Sequence, residues 1–307
     1  MKKICCALFL LLMMQAATAQ DSVYLFSYFK DNGQDGLHLA YSMDGYTWKA
    51  LKNDRSFLTP TAGKDKLMRD PCIIRGADGK FHMVWTVSWN EQSIGYASSD
   101  DLIHWSAQQD IPVMAKEPDT RNCWAPEITY DAKNKTYMIY WATTIPGRFK
   151  AGEGTGDDQY NHRMYYVTTR DFKQFSPAKL LYDHGFNVID ATIVPNGKEY
   201  IMFLKDETRT PPQKNIRIST SKQLAGPYSK PSAPITGNYW AEGPTVLKMK
   251  GKWLVYFDKY RDHKYGAIES TGGKNWTDVT DKISLPKGLR HGSIFVVTKD
   301  EFNKLNQ

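Results

Sequence analysis

The chain has 307 residues, 41% hydrophobic and 13% aromatic, enough apolar side chain to bury the core of one large domain or two small ones, which excludes disorder. Its formal charge is +7, yet the 40 basic residues are scattered among 33 acids and form no run. Phosphate binding calls for clustered positive charge, so no nucleic-acid partner is expected.

In chain order, residues 1–19 read as an export signal: Lys2 and Lys3, an apolar run from Ile4 to about Met14, then Ala17-Thr18-Ala19 before Gln20. That run is short of the roughly 20 residues a membrane-spanning helix needs, and no later run approaches it, so no membrane insertion is expected. Cys5 and Cys6 fall too early in the signal to become a lipid-anchored cysteine. The expected mature protein is a single domain, residues 20–307, exported to the periplasm or secreted.

Beyond the signal the periodicity is that of strands, short runs of Val, Ile, Tyr, Phe and Trp broken by Gly, Asn and Asp turns. The first is Tyr24 to Phe29. A Ser/Thr-x-Asp element with an aromatic six residues after the Ser/Thr then recurs: Ser42, Asp44 and Trp48; Ser99, Asp101 and Trp105; Thr169, Asp171 and Phe175. Looser copies are Ser221 with Tyr228 and Ser270 with Trp276. A second element, a turn before an alternating strand, occurs at Gly79-Lys80, Asn134-Lys135, Gly197-Lys198 and Gly251-Lys252. Its missing fifth copy is explained if the strand from Tyr24 lies inside a blade whose innermost strand is Ser293 to Val297 at the other end of the chain.

Five copies at the length of four short strands predict an all-β fold, a five-bladed β-propeller whose last blade is closed by N- and C-terminal strands. A β-sandwich also alternates strands and turns, but it does not call for a long unit repeating one signature. Pro146 to His162, with four glycines and Asp157-Asp158, has no strand pattern and reads as an insertion at the rim of a site. Cys72 and Cys123 remain after processing; a bridge between adjacent strands and two buried thiols are both open, and neither has zinc spacing.

Four carboxylates begin apolar strands: Asp70 in Arg69-Asp70-Pro71, Glu127 in Trp124-Ala125-Pro126-Glu127, Asp190 in Ile189-Asp190-Ala191 and Glu242 in Ala241-Glu242-Gly243-Pro244. If these strands are the first of successive blades, the acids occupy related places around one axis. Acids brought together shift one another's pKa values, an arrangement suited to a site that needs one carboxyl ionised and another protonated. Trp240 and Ala241 give Glu242 an apolar setting that would raise its pKa.

Arg69-Asp70-Pro71, Asp190-Ala191, Glu242-Gly243-Pro244 and the late Arg290-His291-Gly292 together resemble glycoside hydrolase family 43, five-bladed propellers that trim arabinose- and xylose-containing polysaccharides. The resemblance spans nearly the whole mature chain. It implies Asp70 as general base on water, Asp190 as the residue that tunes pKa and orients the acid, and Glu242 as general acid, with inversion at the sugar. It further implies Trp124 as a stacking wall, Glu127 as a hydrogen-bonding residue, Arg290 as a substrate contact and His291 as the residue beside a calcium ion or its water shell. The expected activity is exo-acting release of terminal α-L-arabinofuranosyl or β-xylosyl units from a plant-type oligo- or polysaccharide. A galactofuranosidase, an exo-galactanase and a non-catalytic glycan-binding propeller are the alternatives. Related invertase-like propellers would need a Glu-Cys motif, which the sequence lacks.

Overall fold

The computed structural model describes residues 22–249 and 251–307, so residues 1–19, expected to be an export signal, lie outside the described residues. Five antiparallel sheets are arranged in a ring. One contains β1 (Ser22–Tyr28), β2 (His38–Ser42) and β3 (Lys49–Ala50); the next is β4 (Arg69–Arg75), β5 (Phe81–Thr86), β6 (Ile94–Ser99) and β7 (Gln109–Ile111). The third is β8 (Trp124–Asp131), β9 (Thr136–Thr143), β10 (Arg163–Thr169) and β11 (Lys179–Tyr182). The fourth has three strands, β12 (Val188–Asn196), β13 (Glu199–Asp206) and β14 (Asn215–Ser221). The fifth is β15 (Glu242–Met249), β16 (Lys252–Lys259), β17 (Lys264–Thr271) and β18 (Thr277–Asp278). The last strand, β19 (Gly292–Thr298), returns to the first sheet and pairs with β1 from Tyr28↔Gly292 to Ser22↔Thr298. The chain is therefore the expected five-bladed β-propeller, closed by its two ends, and its inner strands pack in the cycle β19, β4, β8, β12, β15.

The second strand of each later blade is buried on both faces because each blade is sandwiched between two others. Along β5, Phe81, Met83 and Trp85 enter one core cluster and Val84 the next. Along β16, Trp253, Val255 and Phe257 face one neighbour while Leu254 and Tyr256 face the other. Five such clusters fill the five interfaces between blades. Period-2 alternation thus produces two apolar faces per sheet in place of one apolar and one solvated.

The Ser-Asp-aromatic element is the turn from the third to the fourth strand. Asp44 Oδ1 accepts from the amides of Tyr46 and Thr47, Asp101 Oδ1 from Ile103 and His104, and Asp171 Oδ1 from Lys173 and Gln174. These acids are structural. The fourth blade has no fourth strand because the segment after Tyr228 contains Pro231 and Pro234, which lack the donors a regular ladder needs. That segment runs beside β14 through the backbone amides of Ser229, Ser232 and Ile235 and the hydroxyls of Ser229, Ser232 and Thr236. Cys72 and Cys123 are two buried free thiols. No helix among the described residues is long and apolar enough to cross a membrane.

Candidate active site

Four inner strands share one local distortion at their first residues. In β4, β8, β12 and β15 the register shifts between Arg69 and Cys72, Trp124 and Glu127, Ile189 and Thr192, and Glu242 and Thr245. Each shift is a β-bulge, one extra residue that re-aims the side chains beside it. The second residue of each bulge has a left-handed backbone: Asp70 at φ 53°, Ala125 at 45°, Asp190 at 53° and Gly243 at 59°. The four acids are therefore not equivalent. Asp70 and Asp190 hold the left-handed position, Glu242 the one before it, and Glu127 lies two residues after it.

These bulges open onto a cavity of about 270 Å³, lined by Asp70, Asp190, Glu242, Trp124, Arg290 and His291 together with residues not anticipated from sequence. Asp70 Oδ2 accepts from the Thr86 hydroxyl at 2.8 Å, and Oδ1 lies 3.1 Å from His291 Nδ1. Burial would raise the Asp70 pKa, but the His291 bond and charge, with Arg69 and Thr86, hold it below the usual carboxylate range. Burial would discharge His291, yet the carboxylates around it, Asp70 first, push it up to about 9, so it is an imidazolium at neutral pH.

Asp190 Oδ2 accepts from the amide of Gly243 at 2.9 Å, which joins two neighbouring bulges. Burial, with the Glu242 charge adding to it, raises Asp190 to about 6. Glu242 behaves opposite to the expectation from its apolar sequence neighbours. Burial does push it up, but Lys205 Nζ lies 2.8 Å from Oε2 and Arg290 3.4 Å from Oε1, and these cations lower its pKa. Arg290 also pairs with the buried Asp258 at 2.6 Å.

Glu127, expected as a hydrogen-bonding residue among those that bind substrate, is buried and does not line the cavity. Its Oε2 accepts from the Tyr140 hydroxyl at 2.9 Å, and burial raises its pKa to about 7. Trp124 does line the cavity, edge-on to Trp89 at 5.5 Å and beside Tyr160 at 4.7 Å. Arg69, stacked on Phe29 and Trp89, completes that wall. The insertion contributes Asp157, Asp158, Tyr160 and His162. It is pinned by the buried Arg163, which bonds Asn161, Ala151 and Asp183.

His291, expected beside a calcium ion or its water shell, offers no more than one free ring nitrogen. Its Nδ1 is engaged by Asp70 and the ring is positively charged. Among the described residues no group of three or more His, Cys, Asp or Glu side chains is arranged to hold a metal ion. A hard cation calls for several converging oxygens.

Thr86, Lys205 and Asp258 were missed at the sequence level, although a common signal marks them. Each stands on a second strand directly opposite, or in the fourth blade level with, the first bulge residue: Thr86↔Arg69, Lys205↔Ile189 and Asp258↔Glu242. Each reaches forward to the next blade, Thr86 to the amide of Ala125, Lys205 to Glu242 and Asp258 to Arg290. A polar residue ending an otherwise apolar second strand is the pattern.

The family model described as "Probable glycosyl hydrolase domain" matches residues 20–303. The chain is 25% identical over 248 residues to an alpha-L-arabinofuranosidase of Bifidobacterium longum subsp. longum, covering 67% of this chain and 23% of that protein. It thus spans about a quarter of that relative's length. Among solved structures it is similar to the alpha-L-arabinanase of Cellvibrio cellulosa complexed with arabinohexaose, at TM-score 0.59 and 14% identity, covering 89% of this chain and 96% of that one. It is also similar to a family-43 β-1,3-galactosidase, at TM-score 0.61 and 14% identity, covering 86% and 58%. At these identities the structural likeness speaks to the fold. The family match extends over nearly all the described residues, and the chain belongs to this family of glycosyl hydrolase domains related to glycoside hydrolase family 43.

Proposed function

We propose that this protein is an exo-acting, inverting glycoside hydrolase that releases terminal α-L-arabinofuranosyl units from plant-type polysaccharides. The observation that carries the reading is the convergence of Asp70, Asp190 and Glu242 on one small cavity with unlike charge environments. A cavity of about 270 Å³ suits one sugar unit better than a chain threaded through. The choice of arabinofuranose is supported by the Bifidobacterium relative. Export is supported by the composition of residues 1–19, after which the family match begins.

In this reading Asp70, held ionised by His291 and Thr86, takes a proton from water as the oxygen bonds to the anomeric carbon. The glycosidic C–O bond breaks on the opposite face, and Glu242 gives the leaving oxygen its proton. Asp190 repels the Glu242 carboxylate and so favours its protonated form. Trp124 stacks on the sugar or its neighbour, and Arg290 orients Glu242 and the substrate hydroxyls.

Hydrolysis of 4-nitrophenyl α-L-arabinofuranoside, β-xyloside and β-galactofuranoside, with arabino- and galacto-oligosaccharides, tests the activity. The arabinofuranoside should be the best substrate, and Asp70→Asn should lose about 10²–10⁴-fold in kcat. No hydrolysis of any of them would favour a glycan-binding propeller. Proton NMR of the first-formed sugar should show the inverted anomer; retention would overturn the assignment of Asp70 as a base.

A further inference from the structure

Lys205 and Lys214 are 1% exposed, and burying an ammonium group is unfavourable unless it is fully paired. Both are paired, in one chain of alternating charge. From Glu242 the chain runs to Lys205 at 2.8 Å, from Lys205 to Glu207 at 2.5 Å, from Glu207 to Lys214 at 2.6 Å and from Lys214 to Asp157 at 2.5 Å. Arg209 lies 3.2 Å from the other oxygen of Asp157. One end is the carboxyl read above as the acid. The other is the insertion whose Asp157, Asp158 and Tyr160 line the cavity.

We propose that Lys205 is a positioning residue for Glu242, and that Glu207 and Lys214 extend its hold to the loop carrying Asp157, so that seating the loop and aiming the acid are one event. The proposal rests on the reading of Glu242 as the general acid. Lys205 occupies Oε2 at 2.8 Å, whereas Oε1 has only the longer contact to Arg290 at 3.4 Å. Oε1 is therefore the oxygen that delivers the proton. With Lys205 neutralised the carboxyl keeps only the longer Arg290 contact and can rotate about it, so Oε1 is no longer held toward the leaving oxygen. The charge of Lys205 also favours the carboxylate left after donation, as the lowered Glu242 pKa reflects.

A purely structural lysine and a positioning lysine differ in leaving-group dependence. Two glycosides of the same sugar serve as probes: a 2,4-dinitrophenyl glycoside, whose leaving group departs without a proton, and the methyl glycoside, which needs one. Lys205→Met should lose about 100-fold in kcat on the methyl glycoside and less than about 10-fold on the dinitrophenyl one. Lys205→Arg should restore most of the methyl-glycoside rate. Asp157→Asn, which loosens the far end, should raise KM for both probes and show a weaker form of the same kcat asymmetry. Equal losses of Lys205→Met on the two probes, or no loss, would overturn the proposal. Glu242→Gln, run in parallel, separates the two readings. If it shows no leaving-group dependence, the acid assignment fails; if it does and Lys205→Met does not, only the positioning role fails. Should Lys205→Met not fold, Glu207→Gln carries the test, with asymmetric loss expected and symmetric loss decisive against it.

Discussion

In the pair Asp190 and Glu242, neighbouring charge outweighs burial at one carboxyl and not at the other. Facing the pair are Lys205, Arg290 and His291, all cationic at neutral pH, and the acids Asp70 and Asp258. Burial dominates at Asp190, raised to about 6; at Glu242 burial is again the largest single influence, but Lys205, Arg290 and His291 together outweigh it and the pKa is lowered. The two carboxyls interact and titrate together, so the free pair binds its proton below about pH 6. An acid catalyst needs that proton, so kcat/KM should fall as pH rises through about 6. Asp70 must be ionised and is held below the usual carboxylate range, so the acid limb should appear only below about pH 4. The expected profile is a bell with its maximum between those limbs, measured as kcat/KM from pH 3 to 9; activity that keeps climbing to pH 8 would contradict the acid assignment. Asp258, also raised to about 6 by burial, is the other candidate for the upper limb. Asp258→Asn should leave that limb in place. The types of the acids were legible in the sequence because they interrupt apolar runs. Their charge states were not, since Lys205 lies 37 positions from Glu242 and reaches it only across a blade boundary.

At the scale of the element, the β-bulge decides what each inner strand offers. Without it, neighbours on a strand point to opposite faces, and Arg69 and Asp70 could not both line one cavity as they do. The sequence shows Pro or Ala after each left-handed residue but carries no mark of the left-handed backbone itself, which is why four acids read as equivalent and are not. Where that residue is Asp, the conformation is tolerated at modest cost. Gly243 is the case where glycine is required. A Cβ there would lie 2.5 Å from Cγ and 2.8 Å from Cβ of His291, atoms too near the backbone to swing away, and its φ is +59°. Gly243→Ala should therefore displace the imidazole from Asp70, destabilise the fold by about 1–3 kcal/mol and depress kcat through the misplaced base. Denaturant melts and kinetics of the same preparation check both. A stable Gly243→Ala protein of normal kcat would show that the His291–Asp70 contact is dispensable.

For the whole molecule, the ring is the condition for the site, because Asp70, Asp190, Glu242 and Arg290 come from four different blades or the segments leading into them. The signature spacing revealed five blades and the closing strand. It did not reveal the short helix after it, α1 (Lys299–Leu305), which follows a capping box between Thr298 and Glu301. That helix buries Phe302 and Leu305 in the core between the first two blades, with Phe302 4.7 Å from Tyr41. The two parts of this C-terminal segment should fail differently. Removing residues 299–307 leaves β19 paired and costs the burial of two large side chains, about 3–6 kcal/mol, hence a melting temperature lower by on the order of 10 °C. The cavity is untouched, so kcat at a temperature where the protein is folded should stay within about two-fold of the full chain. Removing residues 292–307 takes away β19 itself, leaving the edge of β1 unpaired and β4 and β15 without the strand that separates them. That protein should aggregate on expression or unfold without a cooperative transition. If it instead folded and kept its activity, closure of the ring would not be what brings the acids together.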